Sequence, residues 1–445
     1  MASDLLTIAH SGTRAARLAL DVSAQNIANA GSEGYVRRSI RLEELAAAGG
    51  FGRVGDISLS GVRLDRLVRN ADLFRQAEVR RTGADASRAN AEVAGLTNIE
   101  SAVEQAKLFP AIIQFEASLQ QLAGDPVDPS LRAAVIEDAR TMTRGFNIAA
   151  AGLEAVGDGL RFEAADGVTQ VNLLSGELAR VNQRLARSAD SSSDQTALLD
   201  KRDLLLEQLS QHVDISATIA SDQTVAVRLG GASGLPLVDG AAAGTLAMTT
   251  AGDGTIAFTL DGSTIAPAAG SLAGKAQALS QMAEVSAELD GIATALIATL
   301  NAAQTGGVAL DGSAGQPMLS GTGAANISLA FEDGLLIATA PVGSGAGSRD
   351  PGNLAALRAA LGVSDPAGAM DALIFGISSA VHGRSVTRDA LQTIAGTARV
   401  ALQAQSGVDL DQEAVNLIRY QQAFQASGQA MQVAVDIFDT LLGIR

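Results

Sequence analysis

The sequence predicts an α+β protein: a long-helix bundle or coiled coil formed by both chain ends, carrying a small β-rich insert domain and a short Gly-rich strand region. Three observations predict it. From Leu410 the last forty residues repeat small or apolar positions at 4-3 spacing, through Ala414, Leu417, Gln421, Phe424, Gly428, Met431, Val435, Phe438 and Leu442. That is the spacing of a heptad seam. The first forty residues carry a thinner stripe of the same kind: Leu6, Ala9, Thr13, Ala16, Leu20, Ser23 and Ile27. Between the ends the period falls to two over 213–267, where Val225, Val227 and Leu229 alternate with polar or small residues, as do Ile256, Phe258 and Leu260. A narrow stripe on an end segment does not bury itself, so each end needs the other end or another subunit.

Taken in order, residues 4–29 read as one helix, with Ser3 or Asp4 available as its cap. Asn29 to Tyr35 break the period, and Gly31 and Gly34 suit a tight turn. Val36 to Val68 read as an extended ribbon, with Val54, Ile57, Leu59 and Val62 set among glycines. Helical spacing returns from Asp72 to about Leu108, and Pro110 opens a shorter helix that ends in the turn from Gly124 to Pro129. A very long helix is expected from Ser130 to about Ala189, its seam running through Leu153, Leu160, Val171, Leu178 and Leu185. Gly157, Gly159 and Gly167 inside it each cost about 1 kcal/mol relative to Ala, so this helix must lean on neighbours. After the polar Ser191 to Ser193, a helix from Asp194 to Gln211 leads into the period-two stretch, which Asp-Gly pairs at 239, 253 and 261 divide into strands. Helix returns over 272–304, strands and Gly-rich turns over 305–352, and short helices at 353–361 and 366–381. The last helix starts near Thr387 and passes a bend at Ser406-Gly407 into the terminal seam.

Composition narrows the function. The 445 residues suffice for two to four domains, and with 3% aromatic residues and no tryptophan the chain favours close helix packing over an aromatic-lined pocket. The net charge is −16, yet the first 81 residues hold twelve arginines against nine carboxylates, leaving −19 for the remainder. This basic arm includes Arg37, Arg38, Arg41, Arg63, Arg66, Arg69, Arg80 and Arg81; without a recognition fold or exposed aromatics it reads as solvated faces and subunit contacts, and no nucleic acid is expected. Absence of cysteine excludes disulfides and thiol chemistry. His10, His212 and His382 lack partners at ligand spacing, and no phosphate-binding glycine loop occurs, so no catalytic, metal or cofactor site is expected. The start of the chain does not read as a cleaved signal peptide, and no membrane insertion is expected from Gly291 to Leu310, which is interrupted by polar residues.

Three blocks resemble a known family. Residues 24–37, AQNIANAGSEGYVR, are similar to the Ala-Asn-x-x-Thr-x-Gly-Tyr signature of bacterial flagellar rod, hook and hook-associated proteins, with Ser32 in place of the usual Thr and Glu33 where hook-associated members often have Pro. Residues 406–442 resemble the C-terminal block of the hook-associated protein 1 family more than that of hook or rod proteins, most specifically at Asn416 to Ala426 and Phe438 to Leu442. Ser175 to Leu178 with Val181-Asn182, then Leu198 to Asp203 and Leu209-Ser210, are similar to the start of that family's insert domain.

The resemblance implies a structural, non-enzymatic subunit of the bacterial flagellum, exported without a cleaved signal and assembled as an extracellular ring at the distal end of the hook. Its implied partners are further copies of itself, hook protein, hook-associated protein 3, and an export chaperone on the C-terminal helix. The expected domains are a terminal helical core (1–70 with 396–445), a long-helix body (71–206 with 270–395) and an outward β-rich insert (207–269). Packing and assembly are assigned to Leu6, Leu20, Asn26, Ile27, Asn29, Gly34, Tyr35, Leu410, Leu417, Tyr420, Phe424, Met431, Val435, Phe438 and Leu442. Tyr35 and Tyr420, the only tyrosines, are each expected to pack a ring at an interface while the hydroxyl keeps a polar partner. The alternatives are a hook or distal-rod subunit and, more remotely, a wall hydrolase with flagellar-type ends, for which the 213–267 stretch offers mostly carboxylates in turns.

Overall fold

Long proline-poor runs rich in Ala and Leu fold as helices, and nine α-helices dominate the computed structural model, which describes residues 2–46, 59–188 and 193–443. Helix α1 (Ala2–Asn29) is followed by strands β1 (Arg38–Ala46) and β2 (Leu59–Arg69), an antiparallel ribbon that sets Arg38 opposite Arg69 and Ile40 opposite Leu67. Val54 and Ile57, expected in this ribbon, lie outside the described residues. Helix α2 (Leu73–Gln105) gives way to α3 (Leu108–Gly124) at Lys107, whose φ of 49° ends the helical run. Pro110 sits in the first turn of α3, where a missing N–H leaves no helical bond unmade. The 57-residue α4 (Pro129–Leu185) opens on proline, and the Asp128 carboxylate caps it by accepting from the Ser130 and Leu131 amides at 2.7 and 3.0 Å. Helix α5 (Ser193–His212) follows.

The period-two stretch, expected as one insert, forms two separate sheets. Strands β3 (Ile215–Ile219), β4 (Val225–Leu229), β5 (Leu235–Asp239) and β6 (Ala242–Ala243) pair antiparallel in that order. Strands β7 (Leu246–Thr250), β8 (Ile256–Leu260) and β9 (Ser263–Ile265) make a second antiparallel sheet, closed between β8 and β9 by Asp261 and Gly262, both at positive φ. Each sheet is tied to its own stretch of α4. Asn182 donates to the carbonyls of Val225 and Gly240 at 2.8 and 2.9 Å and accepts from the Val225 amide, whereas Arg161 donates to the Gly254 carbonyl at 3.2 Å.

Helix α6 (Ser271–Thr305) buries Leu279, Met282, Val285, Leu289, Leu296 and Leu300. The glycine-rich stretch after it contains only two-residue strands, β10 (Gly307–Val308), β11 (Leu319–Ser320), β12 (Ser328–Leu329) and β13 (Ala340–Pro341). Side chains from flanking helices supply the hydrogen bonds that a longer ladder would have made. Gln304 accepts from the Ala338 amide at 2.8 Å, and Asn353 donates to the carbonyls of Ala303 and Ala338. Arg132, fully buried, donates to the carbonyls of Pro126, Gly334 and Ile337 and to the Thr339 hydroxyl. Burial holds its guanidinium below the ordinary value.

Helices α7 (Gly352–Ser364), α8 (Pro366–Ser406) and α9 (Leu410–Gly443) complete the chain. The interruption expected between 381 and 387 is absent: α8 runs unbroken through Gly383, at a cost of about 1 kcal/mol for one helical glycine, and Arg384 pairs with Glu92 at 3.0 Å. The bend expected at Ser406-Gly407 is instead a complete break, after which Asp409 caps α9 by accepting from the amides of Asp411 and Gln412. The eighteen-residue window that passes for a membrane span by length and composition lies in the helical run 352–440, and 33% of it is buried within the chain.

The chain divides into two compact units, one of residues 1–84, 171–245 and 392–445, the other of 85–170 and 246–391, with boundaries inside α2, α4 and α8 and between β6 and β7. The second unit has an extended apolar core in which Ile99, Phe115, Leu119, Met142, Phe146 and Leu279 are fully enclosed. Two glycines let backbones or side chains approach closely there. A Cβ on Gly157 would lie 2.8 Å from the Met282 thioether, and one on Gly274 would lie 2.2 Å from the Arg88 carbonyl oxygen. The second contact is with backbone and has no flexible end to yield. Gly274→Ala is therefore expected to cost roughly 1–3 kcal/mol by overpacking, seen as a lower Tm in thermal unfolding; an unchanged Tm would mean that α2 and α6 separate freely.

Candidate assembly site at the paired chain ends

Helices α1 and α9 pack antiparallel. The Ser23 hydroxyl donates to the Glu413 carboxylate at one end, and Gly12 meets Ser427 further along, where a Cβ on Gly12 would come within 2.9 Å of the Ser427 hydroxyl oxygen. The buried face of α1 is made of small or polar residues at 3-4 spacing: Ala9, Ala16, Ala19, Ser23 and Asn26. On α9 the inward positions are Glu413, Asn416 and Ala434, with Leu417, Tyr420, Ser427 and Met431 half-buried.

The residues expected to pack therefore divide between the inner and the outer faces of the paired helices. Asn26 is buried, and Leu20, Asn29, Gly34, Tyr35, Leu417, Tyr420 and Met431 are half-buried. Leu6, Ile27, Leu410, Phe424, Val435 and Phe438 are exposed, and the Leu442 side chain lies outside the described residues. The cause is steric. Periodicity picks out the largest apolar side chains, whereas close contact of two helix backbones uses the smallest.

Beyond α1 the chain reverses in a turn built on Gly34, at φ 77°. A Cβ there would also press to 3.1 Å from the Leu204 Cβ, so the turn takes glycine for both reasons. Asn26 holds the returning strand. Its amide donates to the Arg38 carbonyl at 2.8 Å, while its carbonyl oxygen accepts from the Arg38 amide at 3.0 Å and the Tyr35 hydroxyl at 2.8 Å. Only a side chain with both donor and acceptor makes this set. Burial pushes the Tyr35 hydroxyl up, which keeps it a donor, and Arg38 stacks 5.0 Å from its ring centre. Tyr420 is matched differently: its hydroxyl accepts from Arg419, whose guanidinium also lies over its ring.

The basic arm is not wholly the solvated surface the composition suggested. Arg41, Arg63 and Arg66 are exposed, but Arg38 and Arg69 are buried and paired inside the chain. Asp200 accepts from Arg38 at 3.0 Å and Arg69 at 2.6 Å. Asp203 accepts from Arg69, Gln76 and, through two nitrogens, from Arg202. Arg37 pairs with Glu413 at 2.9 Å, so the arm is also tied to the start of α9. Burial by itself would raise the Asp203 carboxyl, yet Arg69 and Arg202 hold it below the usual range. Sequence reasoning missed Asp200, Asp203 and Glu413 as site residues. The available signal was the surplus of arginine at the start of an acidic chain, which needs carboxylates from elsewhere when it is buried. Among the described residues no group of three or more His, Asp or Glu side chains is placed to hold a metal ion. The chemistry of this arrangement is packing, hydrogen bonding and charge pairing.

Comparison with known proteins bears on this geometry. Residues 94–319, just over half of the chain, match the family model described as the flagellar hook-associated protein FlgK helical domain. Residues 402–444 match the flagellar basal body rod FlgEFG protein C-terminal model. The chain is 26% identical to flagellar hook-associated protein 1 of Bacillus subtilis over 220 residues, 48% of this chain and 43% of that protein. It is 26% identical to flagellar hook-associated protein 1 of Escherichia coli over 250 residues, 55% of this chain and 45% of that protein. The matched region thus spans less than half the length of these relatives. The structure of the flagellar hook junction protein FlgK from Burkholderia pseudomallei superposes with a TM-score of 0.63 at 16% identity, covering 74% of this chain and 100% of that one, so the two share a fold.

Two outcomes follow for the site. Asn26→Ala removes three hydrogen bonds and strands the buried Arg38 backbone, and a loss of roughly 2–4 kcal/mol is expected in urea unfolding; a loss under half of that would show the turn to be held elsewhere. The folded Asp203 value lies below its unfolded value of about 3.9, so its stabilising contribution is complete above that pH and is lost as pH falls through the folded value. Asp203→Asn should accordingly lower stability at neutral pH and flatten the acid limb of a Tm–pH profile, and an acid limb of unchanged slope would count against the pairing.

Proposed function

Because the chain belongs to the flagellar hook-associated protein FlgK family, we propose that it is a structural subunit of the bacterial flagellum that joins hook to filament through its paired terminal helices. One observation carries the reading. The two end helices are joined through small side chains, and they leave large apolar ones uncovered: Leu5, Leu6, Ile8 and Ile27 on α1, and Leu410, Val415, Ile418, Phe424, Val433 and Phe438 among those on α9. Helices that expose so many large apolar groups are built to be covered by other protein. Assembly into a ring supplies that cover and explains why the seam itself is narrow.

In this reading the terminal helices form the packing core of the ring and the sheets of 215–265 face outward. The neighbours are further copies of the chain, hook protein and hook-associated protein 3. Before export a chaperone shields the exposed face of α9, and the assembled protein is extracellular. A hook or distal-rod subunit is the less favoured alternative, since the match over 94–319 is to the helical domain of the hook-associated family.

The test replaces exposed residues, so folding is spared. Phe424→Ser with Phe438→Ser, in a strain lacking its own copy of the gene, should leave hooks intact and the protein secreted with unchanged Tm, while filaments fail to attach. Normal filaments on the doubly substituted chain would sink the reading.

A further inference from the structure

The β1–β2 ribbon carries two pairs of arginines set directly opposite each other, Arg38 with Arg69 and Arg41 with Arg66. Like charges in that position repel, so each pair calls for carboxylate between its guanidiniums. The first pair has it. Asp200 accepts from both Arg38 and Arg69, and Asp203 accepts from Arg69. These two carboxylates stand three residues apart on α5, which sets them on one helix face about as far apart as the two arginines stand across the ribbon. Three residues along β1, an odd step, turns the second pair to the other face of the ribbon, where both arginine side chains are more than half exposed. Asp65 lies 3.9 Å from Arg41 and 3.6 Å from Arg66, outside hydrogen-bond reach of both. Glu43 is taken by Arg63 at 2.7 Å, and Glu44 lies further along the ribbon, opposite Val62.

Among the described helices the pattern Asp-x-x-Asp occurs twice, at Asp200 with Asp203 on α5 and at Asp436 with Asp439 on α9. Asp436 and Asp439 are exposed, and their carboxylates make no hydrogen bond or ion pair among the described residues. We propose that the Arg41–Arg66 pair docks Asp436 and Asp439 of a second copy of this chain, repeating between subunits the contact that Arg38 and Arg69 make with α5 inside one. Exposed ion pairs add little affinity but fix register. Affinity comes from the uncovered apolar groups of the same helix, since Val435 and Phe438 share a face with Asp439. One copy does not close the contact on itself. Ser11 accepts from the Val62 amide and Gly12 meets Ser427, so Val62 and Ser427 sit at one level of α1. From there Arg66 lies four residues along β2 toward the Asn26 end of α1, and Asp436 lies nine residues along α9 toward the opposite end. At about 1.5 Å per helical residue and about 3.3 Å per strand residue, the two sites of one copy stand roughly 25 Å apart along the helices, beyond the joint reach of the side chains. A second copy shifted along the helices by that distance brings the pairs together. The inference rests on the assembly reading above and gives that assembly its register.

Arg66→Lys in the full-length chain keeps the charge and gives a carbodiimide an amine to join to a carboxylate. In a concentrated mixture of isotopically heavy and light chains, position 66 should bridge to Asp436 or Asp439, with heavy peptides joined to light ones. Arg41→Glu with Arg66→Glu should weaken self-association in sedimentation by roughly tenfold, the scale of two exposed ion pairs turned repulsive, at unchanged Tm. Adding Asp436→Lys with Asp439→Lys to that chain should recover the association, because every contact is then reversed on both sides. Absence of bridges between copies at those residues, or a reversed chain that does not recover, overturns the proposal. So does a fall in Tm on Arg41→Glu with Arg66→Glu, since the pair would then be serving the fold. Bridging and recovery as expected, in a protein whose unsubstituted form does not restore filament attachment to a strain lacking the gene, count against the hook–filament reading alone.

Discussion

The antiparallel pairing of α1 with α9 is the constraint on which the unit built from the chain ends depends. It brings Ser23 to Glu413 across 390 residues of sequence. The entropic cost of closing so long a loop grows only slowly with its length, but the contact that closes it has to be close and specific. Small residues make it close: Ala9, Gly12, Ala16 and Ala19 let the helices approach until Ser427 occupies the space a side chain on Gly12 would need. Buried polar groups make it specific, since Glu413 is satisfied only when Ser23 and Arg37 both reach it.

From that pairing the local architecture follows in steps. The chain leaves α1 through a glycine turn, and Asn26 takes hold of the returning strand at Arg38. The β1–β2 ribbon, which sets Arg38 opposite Arg69, in turn delivers both to Asp200 and Asp203 on α5. A buried ion cluster of this kind adds little net stability by itself, because desolvation opposes the attraction, but it penalises any other register of the arm. The hydrogen bond from the Arg37 amide to the Ser406 carbonyl joins the end of α8 to the same arrangement. Function enters through what this arrangement leaves over: apolar side chains on the outer faces of both end helices.

The other unit works by different means. Its core is a continuous apolar cluster, and its glycine-rich stretch has almost no sheet ladder of its own. Gln304, Asn353 and Arg132 stand in for the missing ladder by bonding directly to the backbone of that stretch. Small side chains and glycines bring helices near enough for such short amides to reach, consistent with a chain that contains no tryptophan and few other aromatics.

The sequence by itself determined the element types and the pairing of the ends. Periods of 3.6 and 2, proline at helix starts, and Asp-Gly pairs at hairpins are local signals, and local signals are written in consecutive residues. It also determined that Asn29, Gly34 and Tyr35 belong to a special turn. Only the tertiary structure decided which stripe of each end helix is inside, because a heptad pattern marks where large apolar groups lie and does not say whether they face a neighbour in the chain or outward. Only it decided that the 215–265 strands split into two sheets, since that depends on which stretch of α4 each sheet meets. And only it paired Arg38 and Arg69 with Asp200 and Asp203, residues far apart in sequence whose burial follows from the fold rather than from their own chemistry.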